Sequence, residues 1–156
     1  KRVIETYRIP EGKLALEVDD SALSSIYLNV NITMQELYDM GVELVMNNFG
    51  SGCAPVTSIL DLPVNTVKLE RMFVWQLETN PKSASIAGGL IQIAKELGIH
   101  IIAEGVETAA ELRKVIELGA DALQGYFLAK PAAVPAQMAP AARKIIAEYS
   151  SVSDSG

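Results

Sequence analysis

The sequence is poor in the groups that staple a chain or bind a metal. It holds one cysteine, Cys53, in 156 residues, which excludes an internal disulfide and a thiolate zinc cage. No histidine lies near Cys53 in sequence to serve as its base, which disfavours a nucleophilic role. The one histidine, His100, sits inside the apolar run Ile99-His100-Ile101-Ile102-Ala103. Without cysteine or histidine partners it reads as a packed core histidine rather than a ligand. No apolar run approaches the roughly 18 residues of a membrane span. The richest stretch, residues 86–103, is interrupted by Gly88, Gly89, Gln92, Lys95, Glu96 and His100. There is no signal peptide, so a cytoplasmic location is expected. The first residue is Lys1, so the chain is expected to belong to a longer parent, which leaves room for a membrane anchor elsewhere. Basic charge is also short. A formal net charge of −6 leaves no cationic stripe for nonspecific nucleic-acid binding, although a small nucleotide in a local pocket remains compatible with it.

What is present suits a packed domain. A hydrophobic content of 49% argues against disorder, and the length suffices for one domain with a sizeable core. One domain is expected over residues 1–149, followed by a flexible polar tail over 150–156. From Leu14 onward short apolar runs alternate with amphipathic segments, the pattern of βα units. Strands are expected at 14–18, 43–46, 66–69 and 99–103, with a short last one after 120–123. Helices are expected at 33–40 (closed by Gly41), 71–77, 82–97 (stopped by Gly98), 108–118 and 135–149. Thr108 with Glu111 forms a capping box. Helical crossovers between successive strands imply a parallel α/β sheet. No internal repeat is present.

The most informative stretch is Val42-Glu43-Leu44-Val45-Met46-Asn47-Asn48-Phe49-Gly50-Ser51-Gly52. A β-prone run ends in two amides and then a glycine-punctuated turn, at the kind of position where α/β barrels carry their chemistry. Every expected strand ends with a polar group: Glu17, then Asn47 and Asn48, then Lys68 and Glu70, then Glu104 and Glu107, then Gln124. In a parallel barrel such positions converge on one mouth. Any single one is more often a solvated loop residue than a ligand, but five strands share the behaviour.

Here the sequence resembles a known family. Glu104-Gly105-Val106-Glu107-Thr108, followed by Gln124-Gly125-Tyr126 and Pro131, is similar to segments of the EAL-domain family. So are residues 14–21 around Glu17, and Leu62-Pro63-Val64 with Lys68-Leu69-Glu70-Arg71 and Phe73-Val74. The resemblance runs from about residue 14 to 131. It implies a partial TIM-like (β/α) barrel, about the last five βα units of an EAL domain. It also implies signalling through cyclic di-GMP, which active members hydrolyse to the linear dinucleotide with two magnesium or manganese ions. By matching position, Glu17 falls on a first-metal ligand and Glu104 on a second-metal ligand. Lys68 falls on the residue that polarises the attacking water, and Gln124 on a substrate contact. Glu107 and Asp20 fall on supports of the metal-facing loops.

The departures matter as much. The family's paired aspartates fall on Asn47 and Asn48, Glu70 replaces an aspartate, and the metal-facing loop reads Ser51-Gly52-Cys53-Ala54-Pro55. The signature Glu-Ala-Leu strand and the asparagine strand after it do not occur. An amide can lend a carbonyl oxygen to a cation but not the charge that offsets two dications. The expectation is a cyclic di-GMP signalling module without hydrolytic activity. An active metal-dependent phosphodiesterase and an interaction scaffold that binds no nucleotide stay open as alternatives. The resemblance also implies a homodimer formed near residues 54–75. Phe73 and Trp75 are expected in the core or as anchors of that contact, and an exposed strand edge near 14–18 adds to the tendency.

Overall fold

The computed structural model describes residues 2–19, 21, 27–53, 55–134 and 136–153. Strands β1 (Ala15–Asp19), β2 (Glu43–Phe49), β3 (Thr66–Leu69), β4 (His100–Glu104) and β5 (Ala122–Gln124) form one sheet in sequential order, every neighbouring pair parallel. Helices are α1 (Arg2–Tyr7), α2 (Tyr27–Asp39), α3 (Arg71–Gln76), α4 (Pro81–Glu96), α5 (Ala109–Leu118) and α6 (Pro140–Ser153), with a 3-10 turn at Val56–Leu60.

The burial gradient across the sheet explains the sequence pattern. β3 is buried at all four positions, and β2 buries Leu44, Val45, Met46 and Phe49. Such two-sided burial produces continuous apolar runs instead of alternation. β1 and β5 are the edges and are largely exposed. α2 packs on β2, α3 on β4, and α4 on both β3 and β4. Buried Ala87, Leu90, Ile91 and Ala94 form the inner face of α4. Asn80 caps α4 by accepting from the Lys82 and Ser83 amides, with Pro81 at the first helical position, where its missing N–H costs nothing. The Thr108–Glu111 capping box closes the start of α5 from both sides. α6 lies on α5, tied by Arg113 to Glu148 at 2.9 Å and by the Tyr149 hydroxyl donating to Glu117 at 2.9 Å.

Several boundaries differ from the sequence expectation. β1 starts and ends one residue later, so Glu17 is mid-strand. β2 continues three residues beyond Met46, because Asn47 pairs in register with Asp19 and Phe49 with Leu69. Asn48 adopts a left-handed φ of 58° at the register shift between Met46 and Phe49. Asparagine tolerates that conformation better than most residues, and the result is a bulge that re-aims the strand end. α2 extends back to Tyr27, ahead of the expected residue 33, although its β-branched and asparagine-rich segment has low helical propensity; burial of Met34 against the sheet outweighs it. The N-terminal lead is a helix. α6 starts at Pro140 in place of residue 135 and continues through Ser153. His100 is not a core residue: it opens β4 with its side chain 75% exposed, 3.9 Å from Asp121. Alternation along β4 turns Ile101 and Ala103 inward and leaves His100 at the N-terminal rim.

Candidate functional site

Because all strands run one way, their C-terminal ends share one edge of the sheet. Glu104 and Gln124 are register partners there, and Asp19 is the partner of Asn47. The polar residues form two neighbourhoods on this edge.

The first spans β1, β2 and β3. Lys68 Nζ donates to Glu17 Oε1 at 2.6 Å, and Asn47 Nδ2 donates to Glu17 Oε2 at 3.0 Å. Lys68 is buried at 6% exposure while the Glu17 side chain is about half exposed. The lysine bond first, and the asparagine bond second, hold the Glu17 carboxyl below its ordinary value. Beside it, Asn48 Nδ2 donates to Asp19 Oδ2 at 3.0 Å, and the Ser21 amide and hydroxyl donate to Asp19 Oδ1. The Ser21 contacts are the main cause of Asp19's lowered value, with Asn48 adding to them. Asn47 Oδ1 is buried and has no hydrogen-bond partner among the described residues.

This donor set does not fit a pair of dications. Each Glu17 oxygen already accepts from a donor, one of them a full cation. The two β2 positions carry neutral amides, each turning its N–H2 group toward an acid. No group of three or more histidine, cysteine, aspartate or glutamate side chains is placed to hold a metal among the described residues. Asn47 Oδ1, buried and without a partner among the described residues, brings no charge.

The second neighbourhood is a cleft of about 510 Å³ at the β4 and β5 ends, walled by Arg71, Trp75, Glu104, Glu107, Gln124, Tyr126 and Lys130, among others. Glu104, Glu107 and Gln124 line this cleft and make no side-chain hydrogen bond or ion pair with a described residue. Arg71 stacks over the Trp75 ring at 5.1 Å, and the indole N–H donates to the Gly105 carbonyl at 3.0 Å. Tyr126 is 60% exposed. The Gly125 backbone packs so closely that a Cβ there would lie 2.1 Å from the Val106 carbonyl oxygen. That approach fixes β5 against the loop after Glu104.

Sequence reasoning found Glu17, Asn47, Asn48, Lys68, Glu104, Glu107 and Gln124 on this edge. Asp20 lies outside the described residues. Asp19, its neighbour, was missed, and so were Arg71, Tyr126 and Lys130 as cleft walls. The i, i+4 spacing of Arg71 and Trp75 was the available signal. Of the two residues expected in the core or as anchors, Phe73 packs against the core and Trp75 is a wall of the cleft.

Comparison with known proteins decides the family. The EAL domain family matches residues 1–131. The chain belongs to the EAL domain family. It is 30% identical over 131 residues to Signaling protein YkoW of Bacillus subtilis, covering 84% of this chain and 16% of that protein. It is 30% identical over 129 residues to Cyclic di-GMP phosphodiesterase RocR of Pseudomonas aeruginosa, covering 83% of this chain and 33% of that one. In three dimensions it is similar to the PaMucR phosphodiesterase solved as a c-di-GMP complex, with a TM-score of 0.77, 28% identity, and coverage of 83% of this chain and 53% of that one. The chain thus spans a third or less of these curated relatives. The five-stranded sheet is the corresponding part of the TIM-like barrel of EAL domains.

Proposed function

We propose that this EAL chain is a cyclic di-GMP-binding regulatory module that does not hydrolyse the messenger. The observation that carries this reading is the Lys68–Glu17–Asn47 triplet, in which both carboxylate oxygens meet donors on the protein's own side chains. A two-metal centre needs those oxygens and two further carboxylates to offset about four positive charges. With amides at 47 and 48, no group remains to generate a hydroxide in line with the phosphodiester, so bound nucleotide persists.

Binding is supported by the cleft. Its volume lies in the ordinary range for small-molecule sites, roughly 300–1,000 Å³. Trp75 and Tyr126 offer aromatic faces to a guanine, Glu104, Glu107 and Gln124 offer acceptors to its edge, and Arg71 and Lys130 offer charge to phosphate. The resemblance of the chain to a c-di-GMP complex and to a named c-di-GMP phosphodiesterase supports the same ligand.

Trp75 is the only tryptophan in the chain, so its emission reports on the cleft without labelling. Titration with cyclic di-GMP in EDTA is expected to change that emission saturably, and GMP is expected to do so far more weakly. No change with cyclic di-GMP, together with no heat in calorimetry, would favour a scaffold without nucleotide.

A further inference from the structure

The chain after β4 is held on both sides of Gly105 but changes supports there. Up to that residue, Ala103 and Glu104 are in parallel register with Leu123 and Gln124 of β5. Beyond it, the Val106 amide donates to the Gln124 carbonyl at 3.1 Å and the Phe127 amide donates to the Val106 carbonyl at 3.0 Å. Glu111 Oε2 accepts from the Glu107 and Thr108 amides. Gly105 itself turns with a left-handed φ of 83°, and its carbonyl is met from another element by the Trp75 indole at 3.0 Å. The approach is close: a Cβ on Gly105 would stand 2.9 Å from Arg71 Cβ and 3.3 Å from Trp75 Nε1. The loop therefore lies directly on α3.

Burial does not account for an indole at this position. Val74 in α3 and Leu77 at its end are buried, whereas Trp75 stays 41% exposed and gives the core little. Its ring is oriented by Arg71 one turn earlier, 5.1 Å from the ring centre, and its nitrogen is a donor with no acceptor capacity. What distinguishes it from a phenylalanine in the same place is the bond to Gly105. One residue back stands Glu104, half-buried, whose carboxylate makes no hydrogen bond or ion pair with a described residue. Among the described residues only the backbone aims that carboxylate, so what fixes the Gly105 peptide fixes Glu104 as well.

We infer that Trp75 is a positioning residue: its indole N–H holds the Gly105 carbonyl and thereby sets Glu104 to read the edge of a base in the cleft, which gives a preference for guanine over adenine. This role rests on the reading of the cleft as a cyclic di-GMP site. The edge of guanine carries two donors side by side, N1–H and the N2 amino group, and a carboxylate, which only accepts, can take both. Adenine sets one amino donor beside the bare N1 lone pair, which an anion repels. A site built on such bonds rejects a ligand that lacks them by a large factor. Hydrogen bonds weaken steeply with misalignment, so the discrimination depends on where the loop holds Glu104. The stacking that any purine shares does not.

Equilibrium dialysis of the full 156-residue chain against labelled cyclic di-GMP or cyclic di-AMP, in EDTA, tests it. The parent is expected to prefer the guanine form about a hundredfold. Trp75→Phe keeps an aromatic wall and loses the donor. Cyclic di-GMP is then expected to bind about tenfold more weakly, the scale of one hydrogen bond, with cyclic di-AMP unchanged. Replacing the indole by its benzothiophene isostere, which removes the donor alone, is expected to do the same. Glu104→Gln is expected to lower the preference at least as far, and Trp75→Phe/Glu104→Gln no further than Glu104→Gln alone, since Trp75 acts through Glu104. A preference retained in Trp75→Phe, both nucleotides weakened alike, or losses that add in the double variant would each overturn the role while leaving the binding site standing. A parent that retains neither nucleotide overturns the binding reading, and this role with it.

Discussion

Asn47→Asp is the substitution that separates a hydrogen-bonded triplet from a metal site. The amide nitrogen sits 3.0 Å from Glu17 Oε2, so the new side chain turns a donor into a like charge. Two unit charges about 4 Å apart repel by about 4 kcal/mol at an effective dielectric of about 20. The half-exposed Glu17 side chain and the Lys68 ammonium 2.6 Å from its other oxygen screen about half of that, leaving ~2 kcal/mol. In a domain of this size that lowers Tm by roughly 4–8 °C at pH 7 in EDTA. Calorimetry or thermal circular dichroism reads it directly. The pH dependence supplies a second signature. In the parent, Glu17's carboxyl lies below its ordinary value of 4.5, so its contribution is complete above about pH 4.5 and fades as pH falls further. In the variant the crowded pair holds one carboxyl above the ordinary range, so acidification toward pH 5 protonates it and narrows the gap to the parent. Millimolar Mn²⁺ is expected to recover part of the loss in Asn47→Asp/Asn48→Asp and to leave the parent unmoved. A variant as stable as the parent in EDTA, or a parent raised several degrees by Mn²⁺, would refute the reasoning.

Other perturbations follow from the same geometry. Glu17→Gln strands the buried Lys68 ammonium and is expected to cost about 2–3 kcal/mol in urea unfolding, whereas Lys68→Met leaves a hydrated carboxylate and costs about 1 kcal/mol or less. Gly125→Ala drives a Cβ into the Val106 backbone and is expected to cost about 3 kcal/mol or more, with loss of the Trp75 response if any fold persists. Thr108→Ala opens the α5 capping box and should cost about 1 kcal/mol, a shift of roughly 2–4 °C in Tm.

Much of this architecture could be read from the chain. The β3 run Thr66–Leu69 and the α5 cap at Thr108 were found at their observed positions, because continuous apolar burial and reciprocal capping are local, strong signals. The starts of α2 and α6 were not, since tertiary burial of Met34 and a proline tolerated at the first helical position both act against a propensity reading. His100 was misplaced for a related reason. Its flanking isoleucines suggested burial, while strand alternation alone decided that it faces solvent at the rim. At the site, residue types announced that charge was missing at 47 and 48. They could not announce that Lys68 and Asn47 would share Glu17 between them, which depends on the parallel register of three strands brought together from residues 17, 47 and 68. Nor could they place Tyr126 and Lys130, which reach the cleft through the tight Gly125 crossing.

The most direct test of a binding module without hydrolysis is equilibrium dialysis of the chain against cyclic di-GMP, run in EDTA and again in Mn²⁺, followed by chromatography of the retained nucleotide. Equal saturable retention is expected in both, with the nucleotide recovered intact as the cyclic form. Linear dinucleotide accumulating in Mn²⁺ and disappearing with Glu104→Gln would contradict it.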